Sequence, residues 1–378
     1  MKAMAVVGAR PNFMKAAPVI EALRKYTGVE VKLVHTGQHY DRKMSALFFE
    51  ELGMPRPDLD LQVGSASHGE QTGQILIRLE PVLTHERPDV VLVFGDVNST
   101  VAAALCAAKL GIVVAHVEAG LRSFDRTMPE ELNRIVTDHL SDVLFTTEPS
   151  ADKNLLGEGI SSDKICQVGN AMVDSLLKHR ERAKTCRFRE TLGLNRSSYA
   201  VLTLHRPSNV DVPEVFEEIL QAVIELSQDL PIVFPCHPRT RQHFARITER
   251  LGFQWSEGGR ERGGRFIVME PLGYLEFLSL QAEARLILTD SGGIQEESMV
   301  LGVPCLTLRD NTERPITLQH GNNVLVGHSR SRILTEARRV LGLPSEPARA
   351  PKLWDGKAGE RIAAILSSLR GPNPHRPV

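Results

Sequence analysis

The sequence predicts an α/β protein made of two parallel-sheet domains with a cleft between them. Three observations carry that prediction. Short apolar, β-leaning runs alternate with helical stretches along nearly the whole chain, and no hairpin signal interrupts them. The alternation restarts after a polar, Arg-rich segment, so 378 residues divide into halves that can each bury a core. The apolar runs end in tight polar turns such as Gly95-Asp96, Glu118-Ala119-Gly120 and Asp290-Ser291-Gly292-Gly293, the form of a strand-to-helix connection.

In order, Met4–Val7 reads as a strand. Gly8-Ala9-Arg10-Pro11-Asn12 then turns into a helix from about Phe13 to Lys25, with Pro18 tolerable only in its first turn. Val31–Thr36 is the next strand, and a helix runs through Met44–Leu52. Ser67–Glu86 is helical by period, and Val90–Phe94 is an apolar strand stopped by Gly95-Asp96. Asn98-Ser99-Thr100 caps the alanine-rich helix Val101–Lys109. Val113–Val117 is a strand, Pro129-Glu130-Glu131 opens a helix through His139, and Val143–Thr146, helix Ser150–Leu156 and Ile165–Val168 close the half. A helix from Met172 to Arg182 leads to the boundary, which places an N-terminal Rossmann-like domain at 1–170 and a C-terminal one at 171–356.

The second half repeats the pattern. Strand Tyr199–Leu204 precedes the loop His205–Asn209, and helix Glu214–Leu226 leads to strand Ile232–Pro235. Helix Arg239–Leu251, a surface loop at Glu257–Gly264, strand Phe266–Met269 and helix Tyr274–Glu283 follow. Leu286–Thr289, the turn Asp290–Gly293, helix Ile294–Leu301 ended by Gly302, and Val303–Leu308 form one strand–helix–strand unit. Strand Val324–Val326, helix Ser331–Leu341 and a linker at Pro344–Pro351 lead to a last helix at about 357–370, expected to pack back onto the first domain. The tail Gly371–Val378 is expected to fray.

Composition narrows the function. Lys+Arg 45 against Asp+Glu 46 leaves no basic field for nucleic acid, and no apolar run is long enough for a membrane helix. The first apolar run is too short for a signal peptide. Five scattered cysteines without a CxxC read as reduced core residues, which points to the cytoplasm and offers no metal-ligand set.

The turn at Asp290–Gly293 carries the chemistry. It exposes the first amides of a helix, the two glycines admit an anion closely, and the helix dipole favours negative charge there. Glu296 or Glu297 beyond a phosphate can accept from a ribose diol. The plain alternative is that Asp290 and Ser291 cap the helix and the glutamates complement its dipole. Arg309 and Arg314, just after the next strand, favour phosphate. Arg10 and Lys15 flank another strand-to-helix turn, with solvated surface cations as the plain alternative. Asp96, Glu118 and Glu131 from the first half, and His205, Arg206 and His237 from the second, stand at or near the carboxyl edges where open sheets bind ligands. Basic residues and glycines suit a diphosphate, and carboxylates with histidines suit proton transfer.

Taken together, the motifs resemble the non-hydrolysing UDP-N-acetylglucosamine 2-epimerases of the two-domain GT-B fold. The matching pieces are GARPNFMK at 8–15, TGQHYD at 36–41, GDVNST at 95–100, HVEAGLRS at 116–123 and MPEELNR at 128–134. They continue with VGN at 168–170, TLHRPSNV at 203–210, DSGGIQEE at 290–297 and RDNTERP at 309–315. The resemblance implies elimination of UDP across C1–C2 of the sugar to a 2-acetamidoglucal, then re-addition with the proton on the other face. It implies no nicotinamide, no metal, a UDP-sugar as the only small-molecule partner, and a homodimer. By motif match, Asp96, Glu118, Glu131 and His205 are the acid/base and sugar-contacting set. Arg10, Lys15, Ser291 and Gly292 belong with the diphosphate, Glu297 with the ribose and Arg314 near the site, and Arg206, Gly293 and His205 join the wider substrate- and UDP-binding set.

The segment after Gly37-Gln38-His39 reads YDRKMSALFFEELG and lacks the glutamines with which many bacterial members form a second, regulatory UDP-sugar site. It also resembles relatives that epimerise UDP-2,3-diacetamido-glucuronic acid. A GT-B glycosyltransferase, a hydrolysing epimerase and a non-catalytic nucleotide-sugar binder are the rival readings.

Overall fold

Among the described residues, runs of Val, Ile, Leu and Ala build two sheets, seven strands each. The computed structural model describes residues 1–38, 49–257, 265–320, 322–344 and 350–368. The chain forms two compact units, Met1–Lys178 with Lys352–Val378, and His179–Pro351. Most of the helix expected at 44–52, the loop at 257–264, the linker at 344–351 and the tail at 371–378 fall outside the described residues, as do His39, Tyr40 and Asp41.

In the first unit the strands are β1 (Lys2–Val7), β2 (Glu30–His35), β3 (Leu59–Asp60), β4 (Val90–Phe94), β5 (Val113–Ala119), β6 (Val143–Thr146) and β7 (Ile165–Gln167). Their order is β3-β2-β1-β4-β5-β6-β7, and all the pairs are parallel. The order reverses between β1 and β4, a topological switch point where loops from adjacent strands lead to opposite faces. Asn12 bridges that point: its Nδ2 donates to Phe94 O at 2.6 Å while its Oδ1 accepts from Gly8 N at 3.1 Å.

The second unit contains β8 (Ala200–Thr203), β9 (Ile232–Pro235), β10 (Ser256–Glu257), β11 (Phe266–Met269), β12 (Leu286–Thr289), β13 (Cys305–Thr307) and β14 (Asn323–Leu325). The order β10-β11-β9-β8-β12-β13-β14 switches between β8 and β12. Side chains alternate across this sheet. Ala200, Leu202, Leu286 and Leu288 join one buried cluster, and Val201, Val233, Ile287 and Cys305 join another on the opposite face. Both faces are apolar and covered, which is why the strands read as continuous apolar runs.

Every strand expected from the sequence is present, whereas several helices begin earlier than expected. The first runs Arg10–Leu23, and others begin at Pro149 and Pro213, while the helix opened by Pro129 starts where expected. Proline fits the first helical turn because its missing N–H has no helical acceptor there. Asn98, Ser99 and Thr100 are not caps. They lie inside the helix Asn98–Lys109, whose N-cap is Val97.

Pro18 corrects the reading more sharply, since it sits inside the Arg10–Leu23 helix rather than in its first turn. Its absent N–H would have bonded to Met14 O, and Ser175 Oγ donates to that carbonyl instead at 2.6 Å. The same region receives the last helix, Ala358–Ser368, where a Cβ on Gly359 would stand 2.7 Å from Pro18 O. Asp174 Oδ2 accepts from Gly359 N at 2.7 Å and tethers the start of that helix. Among the described residues no helix is long and apolar enough to cross a membrane.

Candidate active site

The first-unit site is built on the carboxyl ends of β4 and β5 and on the helix Pro129–Leu140. That helix turns a charged face inward. Glu131, Arg134 and Asp138, at i, i+3 and i+7, are all buried, while Leu132 and Val136 are exposed. Arg134 Nη1 donates to Glu131 Oε2 at 2.6 Å, and its Nη2 pairs with Asp96 Oδ2. Asn133 Nδ2 donates to Asp96 O at 2.9 Å. Glu131 also accepts from Ser123 N at 3.0 Å and Phe124 N at 2.9 Å, so its carboxylate holds the loop after β5.

Glu118 adopts φ 75°, a left-handed conformation unusual for a side-chain-bearing residue, where the register of β5 shifts between Val117 and Ala119. Its Oε1 meets Lys15 Nζ at 2.6 Å in a buried pair. Gly95 makes room for that pair: it has φ 61°, and a Cβ there would lie 2.6 Å from Lys15 Nζ. The Lys15 ammonium is thus seated on Glu118, with both side chains almost wholly buried. Arg10 is the first residue of its helix and is partly buried.

The second-unit site spans the switch point between β8 and β12. Asp290, fully buried at the end of β12, accepts from His205 N at 3.0 Å and Arg206 N at 2.9 Å. Asn209 Nδ2 donates to it at 3.2 Å, and His205 Nδ1 lies 2.7 Å from its Oδ1. Burial by itself would raise the Asp290 carboxyl. The charge of His205 and the hydrogen bonds from His205 and Arg206 outweigh that and hold it below the usual carboxylate range. The His205 side chain is largely exposed, and Asp290 holds its ring through Nδ1.

The helix Gly292–Leu301 begins beside this pair, and its N-cap Ser291 makes no side-chain capping bond. Ser291 N donates instead to Thr289 Oγ1 at 3.0 Å. Around the helix start stand Gly293 in the first turn and Arg206, whose Nε donates to Asp290 O at 3.0 Å. Arg309 Nη2 pairs with Glu313 at 2.7 Å, and Glu313 Oε1 occupies the space a Cβ on Gly292 would take. Arg314 Nε lies 2.7 Å from Glu296 Oε1, an ion pair whose angle does not make a hydrogen bond. Glu297 is also buried, accepting from Gln281 Nε2 at 2.8 Å, and burial pushes its carboxyl up to about 7.

The pairings of Asp290 with His205, Arg134 with Asp96 and Lys15 with Glu118 were not read in the sequence. The partners lie 85, 38 and 103 residues apart, so no local spacing could reveal them. His237 is exposed and His116 fully buried. Among the described residues no cluster of His, Cys, Asp and Glu could hold a metal ion.

Two parallel α/β units with a helix N-terminus ringed by arginines in one, and cation-paired carboxylates in the other, define an α/β protein of the GT-B type. A sequence profile described as UDP-N-acetylglucosamine 2-epimerase matches residues 21–367. The UDP-N-acetylglucosamine 2-epimerase of Methanocaldococcus jannaschii is 45% identical over 372 residues, covering 97% of this chain and 99% of that one. Its crystal structure in complex with UDP-GlcNAc and UDP superposes with a TM-score of 0.88. The Neisseria meningitidis UDP-GlcNAc 2-epimerase bound to UDP-GlcNAc is 32% identical, covers 97% of this chain and 100% of its own, and gives a TM-score of 0.85. A UDP-2,3-diacetamido-2,3-dideoxy-D-glucuronate 2-epimerase from Pseudomonas aeruginosa is 42% identical over 373 residues, 98% of this chain and 100% of its own. The chain belongs to the non-hydrolysing UDP-N-acetylglucosamine 2-epimerase family, a family of isomerases.

Proposed function

We propose that the protein interconverts UDP-N-acetylglucosamine and UDP-N-acetylmannosamine by eliminating UDP and adding it back. The C2 hydrogen is not next to a carbonyl, so its removal is coupled to loss of the anomeric diphosphate. One carboxylate takes the C2 proton as the C1–O bond breaks and UDP leaves with the electron pair. Re-addition of UDP to the 2-acetamidoglucal, with a proton delivered to the opposite face, inverts the centre.

The observation that carries this reading is the pair of carboxylates on neighbouring strands, each set against a buried cation. Asp96 follows β4 and pairs with Arg134, and Glu118 ends β5 and pairs with Lys15. We assign proton exchange at C2 to this pair, and a positioning role to Glu131, whose oxygens are taken up by two amides and Arg134. In the second unit, we assign the diphosphate to Ser291, Gly292 and Gly293 with Arg206 and Arg314, the ribose to Glu297, and a proton donor's place to His205. Arg10 is assigned to the diphosphate as well.

Asp96→Asn tests the reading: kcat should fall by about 1,000-fold or more while UDP affinity moves less than threefold. Unchanged turnover would remove Asp96 from the reacting groups. A second reading, epimerisation of a UDP-2,3-diacetamido-glucuronic acid, is favoured by the identity to the Pseudomonas relative. Turnover of both sugars side by side separates them. We extend the proposal to a cytoplasmic homodimer that supplies a nucleotide sugar for cell-surface polysaccharide, which sedimentation and fractionation test.

A further inference from the structure

His116 and Asp138 lie behind the proposed reacting carboxylates. Both are fully buried, and His116 sits on β5 two residues before Glu118. Its Nδ1 lies 2.7 Å from Asp138 Oδ1 and its Nε2 lies 2.8 Å from Gly95 O. Both partners are acceptors, so satisfying them takes a hydrogen on each ring nitrogen. Asp138 Oδ2 accepts from Gly120 N at 3.1 Å and faces Arg122 Nη1 at 2.7 Å, and Arg122 Nε reaches Glu158 at 2.7 Å. Burial would raise the Asp138 carboxyl, but the charges of His116 and Arg122 hold it below the ordinary range.

The contacts fall at three backbone points. Gly95, with φ 61°, immediately precedes Asp96. His116 and Gly120 flank Glu118 on either side, and Glu118 itself holds φ 75° in the β5 bulge. A left-handed residue and an irregular strand persist only where the surroundings over-determine them. A buried charge pair with every acceptor met is a stiff support of that kind.

We propose that His116 and Asp138 form a clamp that positions Asp96 and Glu118 together, so that it governs the chemical step and not substrate binding. This rests on the assignment of those two carboxylates to proton exchange. His116 touches no reacting atom in this reading. It acts through the Gly95 carbonyl, and Asp138 acts through the Gly120 amide. Small displacements of reacting groups are costly, since about 1 Å of misplacement lowers rate about 100-fold.

His116→Gln should lower kcat at least 100-fold, with KM for UDP-N-acetylglucosamine and the affinity for UDP each within threefold of wild type. A folded His116→Gln variant with kcat within threefold of wild type would show only a satisfied core histidine and overturn the clamp. A rise in KM at unchanged kcat would overturn it equally. Should His116→Gln not fold, Asp138→Asn decides: kcat at least tenfold lower at constant KM supports the clamp, and unchanged kcat rejects it. Wild-type protein assayed alongside for solvent deuterium entry at C2 separates the two failures. If the wild type does not exchange, the epimerase reading falls. If the wild type and the variants all exchange at equal rates, only the clamp falls.

Discussion

Lys15 Nζ lies 2.6 Å from Glu118 Oε1, with both side chains almost wholly buried. The pair ties the helix that follows β1 to the strand two places away in the sheet. A buried ion pair adds little over an apolar pair, but removal of one partner strands the other charge. Lys15→Met should therefore lower stability by about 3–5 kcal/mol, read from urea unfolding, and reduce kcat at least 100-fold. Lys15→Met with Glu118→Leu should recover more than half of the lost stability and none of the activity. A loss below about 1 kcal/mol for the single variant, the range of an exposed pair, would contradict the burial argument.

Asp290→Asn keeps one oxygen to accept from the amides of His205 and Arg206 and from Asn209, but it removes the charge and sets an NH2 where the oxygen facing His205 Nδ1 stood. The cost should be about 2–3 kcal/mol at pH 7, with kcat down about 100-fold as the His205 ring loses its orientation. The folded carboxyl is held below the ordinary range, so its contribution is present above that range and is lost as pH falls through the folded value. Urea midpoints of wild type and variant should converge below about pH 4. A gap that stays constant down to pH 2 would assign the loss to packing.

Glu297 titrates the other way. Burial raises its carboxyl from 4.5 to about 7, so the stabilising neutral form prevails below the unfolded value and is lost as pH rises through about 7. Glu297→Gln should exceed wild type in stability at pH 8 by an amount on the order of 3 kcal/mol and match it near pH 4. Ribose hydroxyls donating to the carboxylate favour its ionised form, so UDP binding near pH 7 should release a proton. Calorimetry in two buffers of different ionisation enthalpy measures that release, which Glu297→Gln should abolish. Proton uptake would contradict the assignment.

Gly292→Ala places a methyl where Glu313 Oε1 now sits, and Glu313 is held by Arg309 at 2.7 Å. UDP affinity should fall at least tenfold, with a stability loss of about 1 kcal/mol from the displaced ion pair. UDP titration at constant ionic strength checks this. Unchanged affinity would move the phosphates away from the start of this helix.

The strands and the long helices were legible because apolar runs and helical period are local properties. Helix starts slipped where proline opened the first turn, as at Pro11 and Pro213, because the same residue also marks loops. Pro18 could not be placed from sequence, since its tolerance in mid-helix depends on Ser175, 161 residues from the Met14 carbonyl it serves. In the site, Asp96, Glu118 and His205 were visible as polar residues ending apolar runs. What holds them was not. Asp290 reaches His205 because β8 and β12 are neighbours across a switch in strand order, and that order is set by packing rather than by any local pattern. The pairing of Lys15 with Glu118 has the same origin.

The most direct measurement is the reaction of the protein with UDP-N-acetylglucosamine in deuterated water with no acceptor present. The account predicts deuterium at C2 in UDP-N-acetylglucosamine and in UDP-N-acetylmannosamine, with no stoichiometric release of free sugar. Recovery of both sugar nucleotides without deuterium at C2, or of substrate alone under the same test for the diacetamido sugar, would contradict it.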